Sequence, residues 1–303
     1  MPSRRHDLVA WAIPRVRRSR ELDTEPAERA RVERWHATLG HGLDRALPTR
    51  LVPRFKRRFS VVTEELAGFP VHVITPRHLD PERTVLFLHG GGYMAPVDPV
   101  HLVHVAHLAT SLRARIVLPA YPLAPEHTWR DSFEPLTDLA ARWAADSRLT
   151  LFGDSAGGGY ALALAVALRD RGGPQPSELL LYSPWVDLTT STPDTPAYDD
   201  VDPWLFLGKV KAYAEWWAGS PEDLGRPEVS PGLADLDGLP RALMFCGTRD
   251  LLVPGCRLLA ERAATSHWDL TYVEEPDLIH VYPLLPLVPE ARRAWRTTLK
   301  FLR

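Results

Sequence analysis

Leu149-Thr150-Leu151-Phe152-Gly153-Asp154-Ser155-Ala156-Gly157-Gly158-Gly159-Tyr160 is the stretch that decides how this 303-residue chain is read. Its first four residues are apolar or β-branched and read as a buried parallel strand. From Ala161 to Leu168 the residues are good helix formers. Between strand and helix, Gly153-Asp154-Ser155-Ala156-Gly157 matches G-x-S-x-G. A serine on so sharp a turn needs small neighbours, because the backbone there is strained and a Cβ would clash. The turn lifts the Ser155 hydroxyl above the sheet and aims a helix N-terminus at the reacting centre. The bland alternative is a glycine-rich loop without chemistry, but strand before and helix after are the context the motif requires.

A second stretch answers the first. Thr84-Val85-Leu86-Phe87-Leu88 reads as a buried strand, and His89-Gly90-Gly91-Gly92-Tyr93 follows it directly. Three successive glycines let the backbone approach a ligand and point N–H groups into a cavity. Acyl transfer needs such donors, because its tetrahedral intermediate carries a negative oxygen. The amides of Gly91, Gly92 and Ala156 are the candidate set.

The paired motifs His89-Gly90-Gly91-Gly92 and Gly153-Asp154-Ser155-Ala156-Gly157-Gly158 resemble the hormone-sensitive-lipase-like branch of the α/β-hydrolases. Tyr121-Pro122-Leu123-Ala124-Pro125-Glu126-His127 is similar to the Tyr-Arg-Leu-Ala-Pro-Glu-His of that family, with Pro122 in place of the usual Arg. Ser183-Pro184-Trp185-Val186-Asp187-Leu188 and Asp202-Pro203 add to the likeness, which runs from about residue 60 onward. The resemblance implies an α/β fold, with a mostly parallel eight-stranded sheet, helices on both faces and a helical cap. It also implies carboxylesterase or lipase activity.

Alternation of strand and helix patterns supports the same class from the residues alone. Phe59–Thr63 and Val71–Ile74 read as an opening antiparallel pair. Thr84–Leu88 then leads to a helical Pro99–Ser111, Arg115–Leu118 to Asp131–Asp146, and Thr150–Phe152 to Ala156–Arg171, with Glu178–Tyr182 following. Ala242–Cys246 leads to Pro254–Ser266, and Leu270–Val273 to Glu290–Leu302. Such alternation implies βαβ crossovers and helices on both sheet faces. The break after Asp187 is turn-rich, and an aromatic helical run from Trp204 to Trp217 follows it. We therefore expect residues 55–303 to form the catalytic body, with a cap insertion at about 188–238. Its aromatics read equally as an acyl-pocket lining or as core between cap and sheet.

Residues 1–54 form a further expected cap element. Arginine is dense from Arg4 to Arg58, with fourteen in that span, Arg17, Arg18 and Arg45 among them. Thr24 reads as a helix cap with Pro26 in the first turn, and Val32, Trp35, Leu39 and Leu43 recur at helical spacing. An amphipathic anchor on anionic lipid is the sharper reading of this segment. We favour helices lying over the site with a solvated basic face. Leu8-Val9-Ala10-Trp11-Ala12-Ile13 is too short for a signal-peptide core, and no apolar run approaches the ~20 residues of a membrane span. A cytoplasmic enzyme is the expectation, and a homo-oligomer is compatible with it. The apolar and charged shares, 45% and 24%, are those of a globular chain, and the net charge of −2 predicts no attraction to nucleic acid. Two cysteines, Cys246 and Cys256, make no disulfide scaffold, and Cys246 reads as a core residue.

The remaining catalytic partners follow from chain order, which in this fold is nucleophile, acid, histidine. His280 lies after the last predicted strand, whereas His89, His101, His104 and His107 precede the serine and His267 reads as helical. Gly247-Thr248-Arg249-Asp250 places Asp250 at the end of the seventh strand, and the Gly-x-x-Asp of the family matches it. His89, Gly90, Gly153, Asp154 and Gly157 complete the motif set, with Asp154 and Asp187 read as structural. The expected activity is hydrolysis of short- to medium-chain acyl esters, with no metal or organic cofactor. The alternatives are an amidase or deacetylase on the same machinery, and a small-molecule receptor on the same fold.

Overall fold

Val85 and Phe87 belong to one apolar cluster and Leu86 and Leu88 to another, although the four are consecutive. That split is the period-two alternation of a strand buried on both faces. The same alternation runs through Leu151 and Phe152, through Leu179 and Leu180, and through Met244 and Phe245. A computed structural model, which describes residues 1–16, 20–39 and 47–303, shows how these strands assemble. Leu43, Arg17, Arg18 and Arg45 lie outside the described residues.

The strands are β1 (Phe59–Leu66), β2 (Phe69–Pro76), β3 (Arg83–Leu88), β4 (Ala114–Pro119), β5 (Leu149–Asp154), β6 (Glu178–Tyr182), β7 (Ala242–Arg249) and β8 (Leu270–Ile279). They form one sheet in the order β1-β2-β4-β3-β5-β6-β7-β8. β1 pairs antiparallel with β2, and β2 with β4, and every later pairing is parallel. The helices are α1 (Arg4–Val16), α2 (Glu25–Leu39), α3 (Phe55–Arg58), α4 (Pro99–Ser111), α5 (Phe133–Asp146), α6 (Ala156–Asp170), α7 (Leu207–Ala218), α8 (Val253–Thr265) and α9 (Pro289–Leu302). Side chains of α5, α6 and α8 join the Leu86 cluster, and those of α4 and α9 join the Phe87 cluster. The sheet is thus covered on both faces, as a parallel sheet requires.

Several boundaries differ from the sequence expectation, β1, β2 and β7 running longer than expected among them, and three of the differences have a local reason. The helix of the aromatic insertion begins at Leu207 rather than Trp204, because Asp202 Oδ1 accepts the Trp204 and Leu205 N–H groups in a turn. β8 runs on to Ile279 past Pro276, with a register shift opposite Gly247 and Arg249 and with Asp277 at φ 61°. His267 is not helical: it stands two residues past the end of α8 at φ 57°.

The N-terminal helices are held by polar groups from distant parts of the chain. In α2, Glu28 accepts from the Tyr213 hydroxyl and lies 3.4 Å from Lys209, and Glu25 accepts from Trp216 Nε1 at 2.5 Å, all three on α7. Thr24 Oγ1 caps α2 through the Ala27 N–H at 3.4 Å. Just before α1, Ser3 donates to Glu290 at the start of α9, and within α1 His6 Nε2 accepts the Ile279 N–H at 3.1 Å. Leu8 and Trp11 on its other side are exposed.

Candidate active site

Ser155 sits where β5 ends and α6 begins, with φ 53° and ψ −125°. That conformation is costly for a residue with a Cβ and survives only where the surroundings over-determine it. The Ser155 N–H donates to Tyr182 O at 2.8 Å, and its own carbonyl accepts from Trp185, Gly158 and Gly159. A Cβ on Gly153 would overlap the Gly157 carbonyl, and one on Gly157 would overlap the Leu88 carbonyl. Only glycine lets α6 approach β3 and β5 this closely, so the two outer positions of the pentapeptide are packing requirements of the turn.

Asp154, inside the same pentapeptide, faces away from the hydroxyl. Its Oδ1 accepts the Gly90 N–H at 3.0 Å, and His101 Nε2 lies 3.3 Å from its Oδ2. This carboxylate therefore fastens the loop after β3 to the turn after β5. Tyr121 completes the fastening by donating its hydroxyl to His89 O at 2.6 Å while its ring stacks on the His89 imidazole. Gly91, Gly92 and Tyr93 then take φ values of 121°, 62° and 60° in succession. That left-handed run turns the Gly91 carbonyl toward the Met94 and Ala95 N–H groups, 3.1 and 2.9 Å away. Among the described residues, no hydrogen bond of the Gly91, Gly92 or Ala156 N–H is present. The α7 side chain Tyr213 roofs this loop, its ring 3.1 Å from where a Gly92 Cβ would stand.

His280 follows β8 directly, its Nε2 2.9 Å from Ser155 Oγ and its Nδ1 2.9 Å from Asp250 Oδ2. Asp250 follows β7, is fully buried, and turns its Oδ1 to the Leu252 N–H at 2.9 Å. The histidine loop is itself tied down, since the Val281 N–H donates to Ser183 Oγ at 3.0 Å and Ile279 to His6. Burial pulls the His280 pKa down, but the Asp250 charge and hydrogen bond, with Asp202 and Asp154 behind them, more than offset it. The imidazole is held above its ordinary 6.5. His89 and His104 have no such partner, and burial drives them down to about 4 and about 3.

The rival residues are placed elsewhere. Asp277 is exposed and uses its N–H on Thr248 Oγ1, so its carboxylate does not orient His280. Ser132 Oγ bonds Tyr160, and Asp187 is occupied by Thr189 and Ser191. Cys246 and Cys256 are free and buried. Among the described residues, no group of three or more His, Cys, Asp or Glu is arranged to hold a metal ion. Sequence reasoning gave Asp202 only as part of a family motif and left Trp204 and Tyr213 open between pocket lining and core. Trp204 packs against the His280 ring, with centroids 5.6 Å apart. Their roles at the site were not legible, because the contacts of these residues are made across the fold.

Comparison with known proteins agrees with this geometry. A family described by the alpha/beta hydrolase fold matches residues 85–284. An acetyl-hydrolase of Streptomyces hygroscopicus is 32% identical over 227 residues, which are 73% of this chain and 75% of that protein. The carboxylesterase NlhH of Mycobacterium tuberculosis is 29% identical over 263 residues, 80% of this chain and 81% of the relative. The crystal structure of an esterase from the bacterial hormone-sensitive lipase family superposes with a TM-score of 0.81 at 29% identity, covering 100% of this chain and 98% of that one.

Proposed function

From the premise that this chain belongs to the α/β-hydrolase family, in its hormone-sensitive-lipase-like branch, we propose that its ester hydrolysis runs through Ser155, His280 and Asp250 on short- to medium-chain acyl esters. The observation that carries this reading is His280, which stands 2.9 Å from both the serine hydroxyl and the buried aspartate. His280 Nε2 takes the hydroxyl proton as Ser155 Oγ attacks the ester carbonyl. Asp250 holds the imidazole in the tautomer with Nδ1 protonated and stabilises the imidazolium. The N–H groups of Gly91, Gly92 and Ala156 receive the oxyanion; loss of one such donor costs about a hundred- to a thousand-fold in rate. The imidazolium then protonates the leaving alcohol, and His280 activates the water that hydrolyses the acyl-enzyme.

Residues 1–54 and 188–238 act in this reading as a cap over the catalytic body of residues 55–303. The preference for small soluble esters rests on that roof, in which Tyr213 stands over Gly92 and Trp204 beside His280. The substrate partner is a small-molecule ester. The rival amide chemistry is tested by matched ester and anilide substrates, with the ester expected to be faster. A fluorophosphonate is expected to modify Ser155 and abolish activity. Peptide mapping that put the adduct on Ser132 or Ser183 would refute the triad.

A further inference from the structure

We propose that Asp202 is a positioning residue for the Asp250–His280 pair, a second buried carboxylate that holds the acid's loop in place and adds its negative charge behind the imidazolium. The proposal rests on the triad reading above and extends it.

The geometry has three arms. Asp202 is 4% exposed, and its Oδ2 accepts the N–H of Leu251, the residue next to Asp250, at 2.8 Å. Its Oδ1 accepts the Trp204 and Leu205 N–H groups at 2.7 and 3.0 Å. Trp204, thus placed, sets its ring edge-on to His280. One carboxylate therefore ties the loop after β7 to the segment before α7 and sets an aromatic wall against the catalytic imidazole. Each bond taken singly could be accepted by an amide or hydroxyl oxygen, but only a carboxylate accepts on both sides of the tie. Burying a second carboxylate beside Asp250 is costly unless its charge has a use.

The use is electrostatic. The charged groups acting on His280 are Asp250 at the end of β7, Asp202, and Asp154 at the end of β5, all of them negative. Those acting on Asp202 are Asp250 and His280, and burial with the Asp250 charge pushes its own pKa up to about 6. His6, from α1, reaches this region as an acceptor for the Ile279 N–H. As Ser155 attacks, the imidazole becomes a cation on which the charges of both Asp250 and Asp202 act. The second charge lowers the energy of that state relative to the neutral ground state, which is the difference that counts for rate.

The sign of the pH effect follows. A nearby negative charge favours protonated His280, so removing it lowers the imidazole pKa and moves the acid limb of kcat/KM to lower pH. In Asp202→Asn and Asp202→Ser the midpoint of the acid limb should drop by about half a unit or more. In both, kcat should fall about ten-fold with KM within about two-fold, as for an interaction made in the transition state. Asp199→Asn is the structural control, because Asp199 caps α7 through the Leu207 N–H at 2.7 Å without acting on His280. It should keep the cap through its amide oxygen and leave the acid limb where it is.

Folded Asp202 variants with a wild-type midpoint would overturn the proposal. Should neither variant fold, an NMR titration of the wild-type His280 imidazole decides, and a pKa not above the ordinary 6.5 would overturn it. Failure of the triad itself looks different: His280→Ala would keep its activity, or the wild type would show no acid limb.

Discussion

Asp250 and Asp277 both precede His280, and what separates them is where their carboxylates go. Asp250 is buried with an oxygen 2.9 Å from His280 Nδ1, whereas Asp277 is exposed on the bulge of β8 at φ 61°. Asp250→Asn should lower kcat by up to about four orders of magnitude, the loss known for the equivalent change in a serine protease, because the amide favours the wrong tautomer. Asp277→Asn should cost less than about ten-fold, since asparagine tolerates the left-handed backbone and Thr248 keeps its bond to the main chain. Steady-state kinetics on a chromogenic ester, with circular dichroism as the folding check, decides between them. A dead Asp277 variant beside a near-normal Asp250 variant would reverse the assignment. At the same scale, the proposed base is neutral His280, whose pKa is raised above 6.5. Activity is thus present at higher pH and lost as pH falls through a midpoint above 6.5; a profile flat to pH 4 would exclude a histidine base.

At the scale of elements, legibility followed locality. β3, α4, β5 and α6 were readable to within a residue or two, because a buried strand announces itself as an apolar run and the glycines of an elbow cannot be replaced. Chain order allowed Ser155, His280 and Asp250 to be named together, and the fold brings His280 within 2.9 Å of the other two. The boundaries of α7 and β8 were not, since a carboxylate cap at Asp202 and a bulge opposite Gly247 decide them. Nor was the grip of α2 on α7, which joins residues far apart in the chain. Glu28 is its centre, bonded by Arg31 and by Tyr213, with Lys209 nearby. Burial alone would raise the Glu28 pKa, but these partners lower it to about 2 from its ordinary 4.5. A depressed carboxylate contributes stability that is full above 4.5 and is lost as pH falls toward 2. Glu28→Gln should therefore lower the urea midpoint most at pH 6, and the gap to wild type should narrow between pH 5 and 3. A gap independent of pH would mean that Glu28 acts through packing rather than charge.

Across the whole molecule, charge is divided unevenly. Residues 1–58 carry fifteen Lys and Arg against seven Asp and Glu, while the entire chain is at −2, so the remainder is strongly acidic. With Leu8 and Trp11 exposed on α1 beside Arg4 and Arg15, that imbalance invites a lipid-surface reading of the N-terminal segment. The opposite faces of α1 and α2 argue for a different role. His6 on α1 holds the strand end that carries His280, and His36 on α2 lies 2.7 Å from Met94 O, just past the Gly91-Gly92 loop. Tyr213 and Trp204 close in from the other side, and Ser155 is only 8% exposed. In the proposed reading, an ester carbonyl reaches the serine by entering between these groups as a single dissolved molecule. We therefore expect kcat/KM on butyrate and hexanoate esters to exceed that on emulsified long-chain triacylglycerol, with no jump in rate as a soluble ester passes its solubility limit. The measurement is a chain-length series below and above that limit, repeated with anionic vesicles present. Faster turnover on the emulsion, or activation by the vesicles, would give the Leu8, Trp11 and Arg15 face of α1 to a lipid surface and make the α2–α7 contact a lid.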